Sequence, residues 1–417
     1  MVVAMSGGVD SSVAAGLLKK QGFEVIGVFM RLWSPKTLND TNKNTNFHEI
    51  ENRCCNLEAM EGARRVAAQL RIPFYTIDLV EEFKKYVVDY YIKEYANCRT
   101  PNPCVICNKF IKFDFLLKKA FSLGADYLAT GHYVRIGSVL PSLLRRTPPS
   151  ARSASLRSPW CPLISSGARK KVLPNKARQV LMRDEGKHLA LLTAIDKTKD
   201  QSYFLWTLTQ KQLRHLLFPI GDYTKLKVRK MAKKWGLPTA DRAESQGLCF
   251  IGYWDNREFL EKFVKPKPGP IKDLKGNVLG EHKGLPFYTV GQRKGLPQLR
   301  IENLKLKIQR GETPPLYVLK LDQKNNTLIM GEEKDLYRKE LEVGEVNWLQ
   351  PAISNQQIVT RCQAKIRYGH PVIPCRLLLI ANRKIKVTFE KPVRAITPGQ
   401  SIVFYKGGEI LGGGIIQ

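Results

Sequence analysis

Residues 6 to 12 read Ser-Gly-Gly-Val-Asp-Ser-Ser, directly after the apolar run Val2-Val3-Ala4-Met5 and directly before Val13-Ala14-Ala15-Gly16-Leu17-Leu18. The order predicts a buried strand, a glycine turn and a helix start. Gly7 and Gly8 lack Cβ atoms, so the backbone can turn sharply and bring several N–H groups to one point. The positive end of the helix dipole lies at the same point, which makes phosphate the natural guest. Asp10, Ser11 and Ser12 fall in the first helical turn, where a carboxylate suits Mg²⁺ and hydroxyls suit phosphate oxygens or the helix cap. No Gly-Lys-Ser/Thr ending follows, which excludes the kinase-type phosphate loop.

The string resembles the PP-loop of the ATP pyrophosphatase superfamily, whose members cut ATP between the α and β phosphates and leave an adenylate on an oxygen of the substrate. The pattern downstream predicts the matching fold. Phe23 to Met30 reads as a second buried strand, Leu57 to Leu70 as a helix and Ile72 to Leu79 as a third strand. Helical runs near 81–95 and 109–122 come next, followed by a strand from Asp126 to Thr130 that ends in Gly131-His132-Tyr133. Strands alternating with helices predict an α/β domain with a doubly wound parallel sheet and ligands at the carboxyl ends of the strands. Ser6, Gly7, Gly8, Val9, Asp10, Ser11, Ser12, Met30 and Gly131 all fall at such ends, so one nucleotide is expected to touch them all.

Charge narrows the partner. Sixty-eight Lys and Arg against 37 Asp and Glu leave a formal charge of +31 over 417 residues. A field of that sign draws polyanions, and beside an ATP site it favours RNA or DNA over a small neutral metabolite. No stretch approaches the roughly 18 unbroken apolar residues of a membrane span, so no membrane partner is expected. Nine cysteines without framework spacing predict a reducing compartment. A first strand beginning at residue 2 predicts a cytoplasmic protein, or a mitochondrial or plastid one if a leader precedes it in a longer chain.

Residues 139–178 carry nine Lys or Arg and no Asp or Glu, with six Pro and seven Ser, and read as a disordered basic insertion. The insertion either adds phosphate affinity or is an accident of the gene model. From 224 to 236, Val228, Met231, Ala232 and Trp235 recur at helical spacing and Gly236 is placed to end the helix. Its Lys227, Lys230 and Lys234 form either a solvated face or one laid along an RNA backbone. Beyond 285, strand-like runs at 316–320, 327–330, 343–348, 358–366, 371–380, 384–389 and 402–416 predict a small antiparallel barrel or sandwich. The expected division is a catalytic domain over 1–213, a small central domain over 214–285 and a β-barrel over 286–417.

Cys104 and Cys107 stand in Arg-Thr-Pro-Asn-Pro-Cys-Val-Ile-Cys-Asn (99–108), just ahead of a helix expected to start near Asn108. Thiols at a helix start are activated by the dipole, and two of them three residues apart can form a disulfide or share a metal. Cys249 lies in Gly-Leu-Cys-Phe-Ile-Gly (247–252), where flanking glycines allow close approach to a base or nucleotide. Cys54 and Cys55 are read as packing or a sulfur relay, and Cys98, Cys161, Cys362 and Cys375 as bystanders. His132 is read as structural, and histidines 48, 188, 215, 282 and 370 show no ligand spacing.

With the PP-loop, TPNPCVICN at 100–108, ATGHY at 129–133, KDQSYFL at 199–205, GLCFIG at 247–252 and the closing TPGQSIVFYKGGEILGGGII, the chain resembles the tRNA-specific 2-thiouridylases. The similarity spans almost the whole chain outside 139–178 and 296–314. It implies that ATP, with Mg²⁺, adenylates the 2-oxygen of the wobble uridine of tRNA, and that a cysteine persulfide then delivers sulfur to the same carbon. Carried over by position, Cys249 bears the persulfide and Cys107 attacks it or forms a transient disulfide with it. Asn102, Pro103 and Cys104 contact the target base, and Lys199, Asp200, Gln201, Arg367 and Tyr368 hold the tRNA. The implied protein partner is a sulfur donor such as a cysteine desulfurase or a sulfur relay, and the implied state is a monomer.

Cys104 departs from the family's usual Asp, so the carboxylate contact assigned to that Asp is absent from this position. Two alternatives therefore stay open. Cys104, Cys107 and Cys249 could ligate an iron–sulfur cluster whose open iron carries the sulfide, or the chain could be a PP-loop synthetase acting on a small metabolite.

Overall fold

Val2-Val3-Ala4 is apolar throughout, and a strand covered on both faces belongs at the centre of a parallel sheet. A computed structural model places it there and describes residues 1–33, 57–138, 188–243, 247–252, 254–297, 315–350, 360–381 and 384–417. The basic segment 139–178, Cys54, Cys55, Cys161 and His48 lie outside the described residues. β1 (Val2–Ala4) pairs in parallel with β2 (Ile26–Arg31) and β4 (Leu128–Ala129). β3 (Phe74–Asp78) and β7 (Leu216–Leu217) complete the order β3-β2-β1-β4-β7. Because the strand order runs outward from β1 in both directions, a crevice opens at the carboxyl ends of β1 and β4.

α1 (Val9–Lys20) follows β1 with Asp10 in its first turn and Lys19 and Lys20 in its last, each charge matched to the nearer end of the helix dipole. Its small residues let it sink into the fold: a Cβ at Gly16 would meet the Trp235 ring at 2.8 Å. α2 (Leu57–Gln69) buries Ala59, Ala63, Val66 and Ala67 on one face. Two further helices each contain a π-helical stretch. One runs through α3 (Val80–Phe83), Lys84–Val88 and α4 (Asp89–Ala96), the other through α5 (Pro103–Ile106), Cys107–Phe115 and α6 (Leu116–Ser122).

The second of these helices starts five residues earlier than the sequence pattern suggests. Asn102 accepts a hydrogen bond from Val105 N at 3.3 Å and Pro103 opens the first turn. Both are N-terminal signals that outweigh the weak periodicity of 103–107. Further on, the helix Lys225–Lys234 ends at Gly236, with φ +61, as its pattern predicts.

The central unit is a four-stranded sheet of β8 (Gly269–Lys272), β9 (Val278–His282), β10 (Tyr317–Asp322) and β11 (Thr327–Gly331) in the order β10-β11-β8-β9. The last unit contains β12 (Tyr337–Trp348), β13 (Thr360–Lys365), β14 (Ile373–Ala381), β15 (Lys384–Arg394), β16 (Ser401–Lys406) and β17 (Glu409–Ile416). They run antiparallel in the order β12-β15-β14-β13-β16-β17, and β12 also pairs with β17, which closes the ring. A closed barrel has no open edges to protect.

The barrel is bolted to the parallel sheet. β5 (Val134–Ser138) and β6 (Leu189–Thr193) form an antiparallel pair, and β6 adds onto β17 at Leu191↔Ile410 and Leu192↔Glu409. Val2, Ala4 and Val28 share one apolar core with Tyr203, Val403, Tyr405, Ile410 and Ile415. A second shared core brings Cys107 and Ile111 against Phe250 and Phe259. Among the described residues no helix is long and apolar enough to cross a membrane.

Candidate active site

The chain leaves β1 at Ala4 and turns at Gly7, whose φ is +73 and whose Cβ would lie 2.1 Å from the Ala59 carbonyl oxygen of α2. Turn and packing both require glycine there. The hydroxyls lace the loop together: Ser11 Oγ and Ser12 Oγ donate to the Gly8 carbonyl at 3.0 and 2.9 Å, and Ser6 N donates to Ser11 Oγ at 3.2 Å. The turn after β4 lies directly on this loop, since a Cβ at Gly131 would sit 2.7 Å from Ser11 N. Thus Gly131 and the Gly7–Ser12 loop form one surface although 120 residues of chain separate them.

That surface faces a cavity of about 490 Å³. Ser6, Gly8, Val9, Asp10, Ser11, Met30 and Gly131 line it on one side, and Pro103, Cys104, Cys107 and Cys249 on another. Lys199, Gln201 and Tyr368 also line it, so residues from all three expected roles share one space. Cys104 is exposed in the first turn of α5, Cys107 is buried one turn later, and Cys249 is half-buried between Gly247 and Gly252, which have φ +78 and +68. Phe29, Leu32, Phe83, Val87 and Phe250 supply an apolar wall suited to a base.

Five of the sequence-derived residues do not line the cavity. Gly7 and Ser12 support the loop from behind: the Gly7 carbonyl accepts from Arg242 at 2.9 Å, and Ser12 Oγ accepts from Thr239 Oγ1 at 2.9 Å. Asn102 caps α5. Asp200 is buried, accepting from Ala194 N at 2.9 Å and Ser202 Oγ at 2.7 Å, so it shapes the 194–202 loop. Arg367 donates to the Ala395 carbonyl at 2.6 Å, and burial lowers its pKa from the usual guanidinium value. Its neighbour Tyr368 is exposed and packs against Phe204 with ring centroids 4.6 Å apart and the ring planes tilted by 37°.

The cavity also contains Lys112, Tyr133, Lys225 and Arg242, which sequence reasoning did not single out, and His132, which it read as structural. Among the described lining residues Lys112, Lys199, Lys225 and Arg242 face one carboxylate, that of Asp10, a balance suited to a polyphosphate. Lys225 was legible in principle. It stands three and seven residues before Val228 and Ala232, on the apolar stripe of its helix, and a cation there needs a buried partner. Burial, with the charge of Lys112, holds the His132 imidazole well below its ordinary pKa. It is therefore neutral near pH 7 and shares a 2.7 Å hydrogen bond with Thr130 Oγ1.

The metal expectations fare differently. Among the described residues no three or more His, Cys, Asp or Glu side chains are grouped to hold a metal ion. Cys104, Cys107 and Cys249 border one cavity, and the described residues do not group them as a metal site. Asp10 is the acidic residue of the loop, and its carboxylate is already engaged by Lys225 and Tyr133. Mg²⁺ would thus arrive held mainly by phosphate oxygens, in keeping with its reluctance to shed water.

Three family models match successive parts of the chain. One described as a tRNA methyl transferase HUP domain matches residues 1–151 and 170–253, its PRC-barrel counterpart matches 257–332, and an aminomethyltransferase beta-barrel domain matches 338–416. The tRNA-specific 2-thiouridylase MnmA of Carboxydothermus hydrogenoformans is 41% identical over 421 residues, covering 100% of this chain and 97% of that one. The protein named tRNA-specific 2-thiouridylase MnmA 1 from Caldanaerobacter subterraneus subsp. tengcongensis is 42% identical, with 100% and 97% covered. Its counterpart from Acetivibrio thermocellus is 39% identical, with 100% and 99% covered. Similarity at this level across the loop, the thiol segment and the closing barrel replaces the small-metabolite synthetase reading. The chain belongs to the tRNA-specific 2-thiouridylase MnmA family.

Proposed function

We propose that this protein replaces the 2-oxygen of the wobble uridine of tRNA by sulfur, with ATP as the activating substrate. The observation that carries the reading is the single cavity onto which the Gly8–Ser11 turn, Cys107 and Cys249 all open. Activation of an oxygen and attack by a sulfur have to occur at one carbon, and such a cavity brings both within reach of one base.

In the first step the uridine O2 attacks the α-phosphorus of ATP and the bond to the β-phosphate oxygen breaks, releasing pyrophosphate. The loop N–H groups, Lys199 and Arg242 offset the charge that builds on the phosphates. Cys249 bears a persulfide loaded by a sulfur-donor protein. Its terminal sulfur, a soft nucleophile, attacks C2, and the C2–O bond breaks so that AMP leaves with the oxygen. The Cys107 thiolate then attacks Cys249 Sγ. The S–S bond to the base breaks, its electron pair stays on the sulfur attached to C2, and 2-thiouridine is released. A Cys107–Cys249 disulfide remains for an external thiol to reduce. Lys199, Gln201, Arg367 and Tyr368 hold the tRNA, Asp200 acting through the loop it shapes, and Asn102, Pro103 and Cys104 border the target base.

The test is incubation with ATP, Mg²⁺, a cysteine desulfurase with cysteine, and unmodified tRNA, followed by mass spectrometry of the digested RNA. Wild type should yield 2-thiouridine and AMP, whereas Cys249→Ser should yield AMP without sulfur. ATP left intact by wild type in the presence of tRNA would sink the proposal.

A further inference from the structure

Lys225 is the inward member of a helix whose other lysines face water. It is 9% exposed, and its ammonium reaches both oxygens of Asp10 at 2.8 and 2.7 Å. Tyr133 donates its hydroxyl to Asp10 Oδ1 at 2.8 Å, and the ammonium stands 5.8 Å from the Tyr133 ring centre. The clamp is itself fixed from two sides. Lys225 N donates to Asp196 Oδ2 at 2.9 Å, a bond that leads the causes of that carboxyl's lowered pKa. Tyr133 N donates to Gln201 Oε1 at 2.9 Å, and Gln201 N donates to the Tyr133 carbonyl at 3.0 Å.

The electrostatic problem solved here is local. Asp10 sits in the first turn of α1, in a loop whose remaining groups are donors suited to phosphate. An uncompensated carboxylate there would repel the polyphosphate that the loop is built to receive. Three hydrogen bonds from one ammonium and one phenol absorb that charge and hold the carboxylate in one orientation.

Resting on the ATP-dependent reading above, we propose that Lys225 is a positioning residue of the nucleotide site, acting through Asp10 with Tyr133 as its second clamp, rather than part of an RNA-facing lysine surface. The mechanism is specific enough to predict a rescue. Lys225→Met keeps the length of the stem and removes the charge, so Asp10 then faces the phosphates alone. Affinity for α,β-methylene ATP in the presence of EDTA, measured by calorimetry, should fall by about tenfold or more. Adding Asp10→Asn to Lys225→Met should restore affinity to within about threefold of Asp10→Asn alone, because the neutral amide no longer repels phosphate. Tyr133→Phe should give a smaller loss in the same direction.

Thermal unfolding of each variant, set beside wild type, separates a lost fold from a lost clamp. Additive losses from Lys225→Met and Asp10→Asn would overturn the proposal, since Lys225 would then be acting on phosphate directly. Unchanged nucleotide affinity together with weakened tRNA binding would overturn it in favour of the RNA face. Nucleotide binding is read without thiolation, so failure of the proposed reaction would appear as tight, rescue-sensitive ATP binding with no 2-thiouridine formed.

Discussion

Gly7 shows how little freedom single residues have in this site. A methyl group there meets the Ala59 carbonyl at 2.1 Å with the backbone at φ +73, and neither neighbour can retreat without moving α2. Gly7→Ala should therefore cost about 2 to 4 kcal/mol in urea unfolding and weaken nucleotide binding along with it. A stability within 0.5 kcal/mol of wild type would show that the turn relaxes. His132 gives a prediction in pH. Its folded pKa is depressed well below 6.5, chiefly by burial, so the unfolded chain binds the extra proton first as pH drops. The associated stability is present above about pH 6.5 and is lost as the solution is acidified toward the folded pKa. Between pH 7.5 and 5.5 wild type should lose about 1 kcal/mol more than His132→Asn. Equal losses would mean that the imidazole takes up its proton within the folded protein.

At the scale of the element, the helix that begins at α5 carries two of the three thiols, and its entry rests on one side chain. Asn102→Ala should cost about 1 kcal/mol, speed hydrogen exchange at Val105, and raise the rate at which Cys104 reacts with a thiol reagent. Unchanged exchange would place the anchor elsewhere, with Pro103 the next candidate. The same helix shows what local pattern can and cannot reveal. The β1 strand, the glycine turn and the start of α1 were legible because each signal lies within a dozen residues and all agree. The start at Pro103 was missed because cap signals there compete with a motif that reads as a loop. The π-helical stretch from Cys107 to Phe115 leaves no mark in a 3.6-residue period. Lys225 was overlooked for a different reason: its place on the apolar stripe marks it as buried, but the partner that explains it lies more than two hundred residues earlier.

At the scale of the molecule, the parallel sheet and the closing barrel share hydrogen bonds and one apolar core. Trp206 and Leu208 carbonyls accept from Asn347 Nδ2 at 2.7 and 3.0 Å, Tyr203 donates to the Ser401 carbonyl at 2.7 Å, and the core of β1 runs into that of β16 and β17. Deleting 338–417 should leave the remainder without native near-ultraviolet dichroism and binding a hydrophobic dye, instead of a smaller folded enzyme. A sharp independent unfolding transition in the truncated chain would refute this. None of this coupling could be read locally, because the pairing of β6 with β17 is settled by strands far apart in sequence. It also sets a timetable. On the ribosome Leu191 is made long before Ile410, so the open edge of β6 waits through the synthesis of the whole central unit and most of the barrel. The last strand to emerge is the one that covers that edge, and until then β6 is open to pairing with the wrong strand.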